Sequence, residues 1–117
     1  MTASTSISPD RLPAPIRDYL AAHGAGDTDT ALRAFTPTAV VVDEGITYRG
    51  TDDIRGFLTR AGAQYTYTTA LVAAERTDAA HWVAVHHLEG NFPGGVVDLR
   101  YRFTMDGDLL AELVIAP

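Results

Sequence analysis

A chain of 117 residues is long enough for one domain with a real hydrophobic core. Its net charge of -6 supplies no basic footprint for nucleic acid or for an anionic membrane surface. There is no Cys, and all nine cationic residues other than His are Arg, which excludes disulfides, thiolate chemistry and lysine Schiff bases.

No apolar run approaches the ~18–20 residues of a membrane helix. The first ten residues, MTASTSISPD, lack the basic-then-apolar order of a secretory signal, so a cytoplasmic protein is expected. Residues 1–12 are rich in Ser, Thr and Pro and read as a loosely held arm. Residues 13–117 read as a single domain.

Pro13 and Pro15 precede Ile16, Tyr19 and Leu20, whose spacing predicts a helix over roughly 13–23. Gly24 and Gly26 stop it. Asp27 can cap a second helix that presents Leu32 and Phe35. Val40, Val41 and Val42 ask for a strand over 39–44, and Gly45 makes a tight turn into a short return strand at 46–49. Thr51 can cap a third helix, buried through Ile54, Phe57 and Leu58 and ending near Gly62.

The hydrophobic period then changes from helical to two. Strands are predicted over 65–76, 81–89, 96–105 and 109–115, with turns at Asp78-Ala79-Ala80, Phe92-Pro93-Gly94-Gly95 and Asp106-Gly107-Asp108. The expected fold is α+β: a cone-shaped, curved, mixed or antiparallel sheet with three helices on its concave face.

Alternation on the first strand puts Val41 and Asp43 on one face and Val40, Val42 and Glu44 on the other. A carboxylate beside an apolar face is a general-base candidate; the competing reading is a cap for the Asp-Glu-Gly turn. The expected pocket is lined by Tyr19, Phe35, Val41, Asp43, Phe57, His87, Leu99, Tyr101 and Leu113. His86 and His87 are adjacent and must face opposite sides of the sheet, so they cannot share a metal, and no metal or other cofactor is expected. His87 is assigned to the pocket face with Val83 and Val85. Trp82, Ala84, His86 and Leu88 are assigned to the open face, with Trp82, His86 and Leu88 as a homodimer interface. Asp98, Arg100 and Arg102 are expected to point outward.

The segments RDYLAAHGAGDTDTALRAF, AVVVDEG, YRGTDDIRGFL and DLRYRFTMDGDLL resemble the nuclear transport factor 2-like superfamily, whose fold is also described as cystatin-like. Within it they look most like the SnoaL-like (polyketide cyclase-like) and ketosteroid-isomerase-like groups. The resemblance covers about residues 12–116. It implies a pocket for a small hydrophobic, carbonyl-bearing molecule, with Asp43 as the proton-shuttling base and Tyr19 donating a hydrogen bond to the substrate oxygen. It also implies a homodimer built on the sheet. Two positions depart from the isomerase pattern: its second acid corresponds to Leu99, with Asp98 one residue away on the opposite face, and its supporting tyrosine corresponds to Leu58. Both departures argue against steroid isomerisation itself and leave proton abstraction or cyclisation. The alternatives are a non-catalytic binding or dimerisation module and an epoxide-hydrolase-like enzyme, whose mechanism wants an Asp–Arg–Asp triad in the pocket.

Overall fold

The computed structural model describes residues 4–61 and 66–117. Helix α1 (Ala14–Gly24) buries Ile16, Tyr19 and Ala22 at helical spacing. Helix α2 (Thr28–Arg33) is capped by Asp27, whose Oδ1 accepts the Thr30 N–H at 3.2 Å. Helix α3 (Gly50–Ala61) buries Ile54, Phe57 and Leu58. Gly50 turns the chain into α3 at φ 82°, and Asp53 accepts the Arg49 N–H at 3.2 Å; Thr51 therefore lies inside the helix and is not its cap. The expected helix end at Gly62 and strand start at Tyr65 lie outside the described residues.

The seven strands are β1 (Thr5–Ile7), β2 (Phe35–Asp43), β3 (Ile46–Arg49), β4 (Tyr67–Arg76), β5 (His81–Gly90), β6 (Val96–Asp106) and β7 (Leu109–Ala116). They form one sheet in the order β1-β4-β5-β6-β7-β2-β3. All neighbours are antiparallel except β2 and β7, which makes the sheet mixed. The strand β1 lies where the sequence suggested a loose arm: Ser6 pairs with Glu75, and Leu12 just beyond is 1% exposed in the core. Ile7 packs against the core, Leu12 lies in it, and the Ser4 and Thr77 hydroxyls lie 2.9 Å apart.

Helices and sheet meet over a core that includes Tyr19, Phe35, Val41, Ile54, Phe57, Phe103 and Leu113. Fully burying one such side chain contributes about 1.5–3 kcal/mol.

The face assignment of β5 differs from the sequence reading. Trp82 pairs with Phe103, Ala84 with Tyr101 and His86 with Leu99. Directly paired residues share a face. Phe103, at 1% exposure, fixes that face as the helix-covered one. Trp82, Ala84, His86 and Leu88 therefore point inward, and Trp82 packs against the core. They cannot form a dimer surface on the open face. His87 points outward, where its Nδ1 lies 2.6 Å from Asp98 and its Nε2 3.3 Å from Glu89. The shift by one residue exchanged the whole strand between faces.

On the same outer face Arg100 makes two 2.9 Å hydrogen bonds to the Glu75 carboxylate. Glu75 pairs with Val83 on the intervening strand, and Val85 pairs with Arg100. The ion pair thus crosses over β5, and Val83 is buried although no helix covers it.

Candidate active site

The site grows out of the Val-Val-Val-Asp-Glu-Gly segment. Val41 is fully buried, and Asp43, two residues on, takes the same face further along β2. The chain reverses immediately: Asp43 pairs with Ile46, and the two residues between them have φ of 53° (Glu44) and 75° (Gly45). Two positive φ values define the primed hairpin turn that matches strand twist. Gly45 adopts this freely, whereas a left-handed glutamate is strained by roughly 1–2 kcal/mol. The turn holds both carboxylates at the rim of a cavity.

That cavity has a volume of about 560 Å³, within the usual range for small-molecule sites. Its wall is mostly apolar, with Phe57, Leu88, Val97, Leu99 and Ile115. Asp43, Glu44, His23, Tyr67 and Tyr101 supply the polar groups. Burial pushes the Asp43 carboxyl above the ordinary carboxylate value; the neighbouring Glu44 charge raises it further, and a backbone N–H from Glu44 opposes the shift. No arginine belongs to the described wall. The Arg100–Glu75 pair, in which one guanidinium nitrogen donates to both carboxylate oxygens, lies on the opposite face, so an Asp–Arg–Asp triad is not assembled among the described wall residues.

A second cavity of about 400 Å³ adjoins the first and shares His23, Tyr67 and Tyr101 with it. Leu20, Gly24, Gly26, Thr66, Thr69 and His86 complete its wall. The His86 ring lies 4.6 Å from the Tyr101 ring. Burial keeps the Tyr101 phenol protonated well beyond its ordinary range, and burial pushes His86 and His23 below the ordinary histidine value.

Of the residues the sequence nominated, Asp43, Phe57, Leu99 and Tyr101 line the first cavity. Phe35, Val41 and Leu113 sit in the core behind it. Tyr19 is also a core residue at 1% exposure, edge-on to Phe35 and Phe103 with ring centroids 5.2 and 6.0 Å away. Its hydroxyl is buried without a hydrogen-bond partner, and burial holds it protonated. His87 is on the far side of the sheet. Sequence reasoning missed His23, Tyr67 and His86 as wall residues. Counting through the β5–β6 hairpin from Leu99, already assigned inward, would have found His86.

Among the described residues no group of three or more His, Asp or Glu side chains converges as a metal site would require. None of the described helices is long and apolar enough to cross a membrane.

Comparison with known proteins fits this architecture. A candidate polyketide cyclase from Sinorhizobium meliloti superposes with a TM-score of 0.86 at 29% identity, covering 94% of this chain and 100% of that one. A protein with a ketosteroid isomerase-like fold from Catenulispora acidiphila, solved with trimethylamine, gives a TM-score of 0.77 at 18% identity, over 91% and 86% of the two chains. The Δ5-3-ketosteroid isomerase from a Mycobacterium species gives 0.71 at 17% identity, over 89% and 90%. At that identity the last two show the fold alone. No curated protein matches by sequence. The SnoaL-like domain profile matches residues 16–112, a span that holds both the Asp43 turn and most of the cavity wall, and the chain belongs to the SnoaL-like domain family.

Proposed function

We propose that the larger cavity binds a small hydrophobic molecule carrying a carbonyl group, and that Asp43 removes a proton from the carbon next to that carbonyl. The observation that carries this reading is Asp43 itself: a half-buried carboxylate in a mostly apolar wall, with no cation in that wall to hold it ionised and with its proton affinity raised by burial. A base works best when its pKa approaches the working pH, and desolvation moves a carboxylate in that direction.

The step balances without a co-reactant. The C–H bond breaks, the proton passes to an Asp43 carboxylate oxygen, and the electron pair moves onto the carbonyl oxygen as an enolate. In a β,γ-unsaturated carbonyl compound, return of the proton from Asp43 to the γ-carbon gives isomerisation. Attack of the enolate carbon on a second carbonyl within the molecule gives ring closure, with the new alkoxide taking the proton back from Asp43. The developing oxyanion needs a donor. Tyr101 lines the cavity and stays protonated, so this proposal gives it the donor role that the resemblance gave to Tyr19. Tyr19 packs behind the cavity wall and contributes shape.

Deuterium incorporation into 1-tetralone in D2O tests the reading. The expected result is α-deuteration accelerated by the protein and lost in Asp43→Asn. Binding of the ketone with no acceleration would replace the enzyme with a binding module, and equal acceleration by both proteins would remove Asp43 as the base.

The homodimer implied by the resemblance is retained with a changed footprint. The face left without helices presents Val85, Val114 and the Arg100–Glu75 pair in place of Trp82, His86 and Leu88. Light scattering at micromolar concentration should return twice 12.5 kDa, and Val85→Asp should halve it.

A further inference from the structure

The second cavity shares Tyr101 with the chemistry proposed for Asp43, and its wall also holds a buried polar side chain that this chemistry does not use. His86 is 7% exposed, and its Nδ1 is buried with no hydrogen-bond partner. Buried polar atoms are nearly always paired, so one left alone calls for a reason. Placing a proton on that nitrogen would bury an unpaired N–H. Leaving it bare is the cheaper choice, because an unsatisfied acceptor is tolerated better than an unsatisfied donor. The ring proton then belongs on Nε2, the only other hydrogen-bonding atom of the side chain.

The surroundings suit a neutral ligand group. No carboxylate and no arginine belongs to the described wall: Leu20, Gly24 and Gly26 are apolar or small, and Thr66, Thr69, Tyr67 and Tyr101 are uncharged polar residues. His23 is the other histidine of the wall; burial disfavours charge on both rings, and the nearness of His23 disfavours it further on His86. No described residue of this wall compensates an anion or forms an ion pair with a cation, so an uncharged oxygen is the group it suits.

We infer that the His86 cavity is a second subsite of the same ligand pocket, in which His86 donates its Nε2–H to a neutral oxygen acceptor at the far end of the ligand. The favoured substrate class follows: an elongated, uncharged molecule with a carbonyl beside Asp43 and a second carbonyl or ether oxygen toward His86. Tyr67 and Tyr101, shared by both cavities, flank the middle of such a molecule. This inference rests on the reading of the first cavity as a carbonyl site.

Two probes that differ by one methoxy group provide the test, with His86→Phe separating its oxygen from its methyl. The carbonyl and the ether of 6-methoxy-1-tetralone lie at opposite ends of the bicycle, and 1-tetralone lacks the ether. Titration calorimetry should show the methoxy compound binding about 3–10-fold more tightly, the range expected for one added neutral hydrogen bond. That ratio should fall to near one in His86→Phe, which keeps a planar ring. It should partly return in His86→Gln, whose amide retains an N–H donor. Asp43→Asn should preserve the ratio. Long-range ¹⁵N–¹H spectra of the histidine rings should show His86 protonated on Nε2, with that nitrogen shifted by the methoxy compound only.

Equal binding of the two ketones by the wild type, a preference that survives His86→Phe, or a proton on Nδ1 would each overturn the subsite. A preference that tracks His86 while Asp43→Asn leaves deuteration unchanged would keep the subsite and remove the base. Failure of both ketones to bind at millimolar concentration would remove both readings.

Discussion

His86 and His87 are joined by one peptide bond and share no environment. His86 points into the helix-covered cavity, is buried, and is pushed below the ordinary histidine value because no partner compensates its desolvation. His87 points to the open side and is pulled above that value by hydrogen bonds to Asp98 and then Glu89. The contrast holds for the sheet as a whole. Ionisable groups of the inner face, Asp43, His86 and Tyr101, are desolvated and resist charge. On the outer face His87 pairs with Asp98 and Arg100 with Glu75. Groups without ionic partners, held in cavity walls, are where reactivity is to be sought.

The widest separation between the two faces should appear in catalysis. Asp43→Asn should lower the rate of ketone deuteration by about 10²–10⁴-fold, the usual contribution of a positioned base. Glu75→Gln, which removes an outer-face carboxylate, should leave the rate within about twofold. An equal loss in both variants, read by NMR, would erase the distinction.

Stability comes next. Phe103→Ala should cost roughly 3–5 kcal/mol in urea denaturation, because Phe103 is fully buried. Arg102→Ala, one residue away and outward, should stay within about 0.5 kcal/mol. Trp82→Ala should also destabilise the chain, independently of protein concentration; a concentration-dependent effect would return Trp82 to an interface.

A smaller effect of opposite sign is expected at Tyr19. Its hydroxyl is buried without a partner, so Tyr19→Phe should raise stability by about 1 kcal/mol. A loss of stability in thermal melts would reveal a partner for that hydroxyl, and a loss of deuteration with the fold intact would return the donor role to Tyr19.

The histidines should separate in pH dependence. The folded value of His86 is depressed, so the unfolded chain binds protons first, and its contribution to stability is lost as pH falls below about 6.5. The folded value of His87 is raised, so its contribution is present below about 6.5 and lost as pH rises through the folded value. His86→Phe should flatten the acid side of a stability–pH curve, and His87→Phe the neutral side. Identical curves for the two variants would mean that the faces are not distinct.

How much of this was legible in the sequence depends on the kind of signal. Helices α1 and α3 carry their buried residues at i, i+3 and i+4, and Asp27 carries its own cap, so local chemistry was sufficient. The Asp43 turn was legible because few sequences other than one ending in Gly45 suit it. The two stripes of β5 were not separable by hydrophobicity: one holds Trp, Ala, His and Leu, the other Val, Val, His and Glu. Val83 of the outer stripe is buried although no helix covers it, beside the Arg100–Glu75 bridge, an arrangement that joins residues 25 positions apart. The unpaired hydroxyl of Tyr19 and the unpaired nitrogen of His86 are products of tertiary packing and leave no mark on local sequence.

The titration of Asp43 tests the central claim most directly. Carbon-detected NMR of the side-chain carboxyl, in wild type and Asp43→Asn for assignment, should give a pKa above the ordinary 3.8. A raised value means that the folded state takes up its proton first, so the Asp43 contribution to stability is present below 3.8 and declines as pH rises through the folded value. Asp43→Asn should then be neutral or stabilising at pH 7. A titration at or below 3.8, with Asp43→Asn destabilising at pH 7, would make Asp43 a turn cap and contradict its assignment as the base.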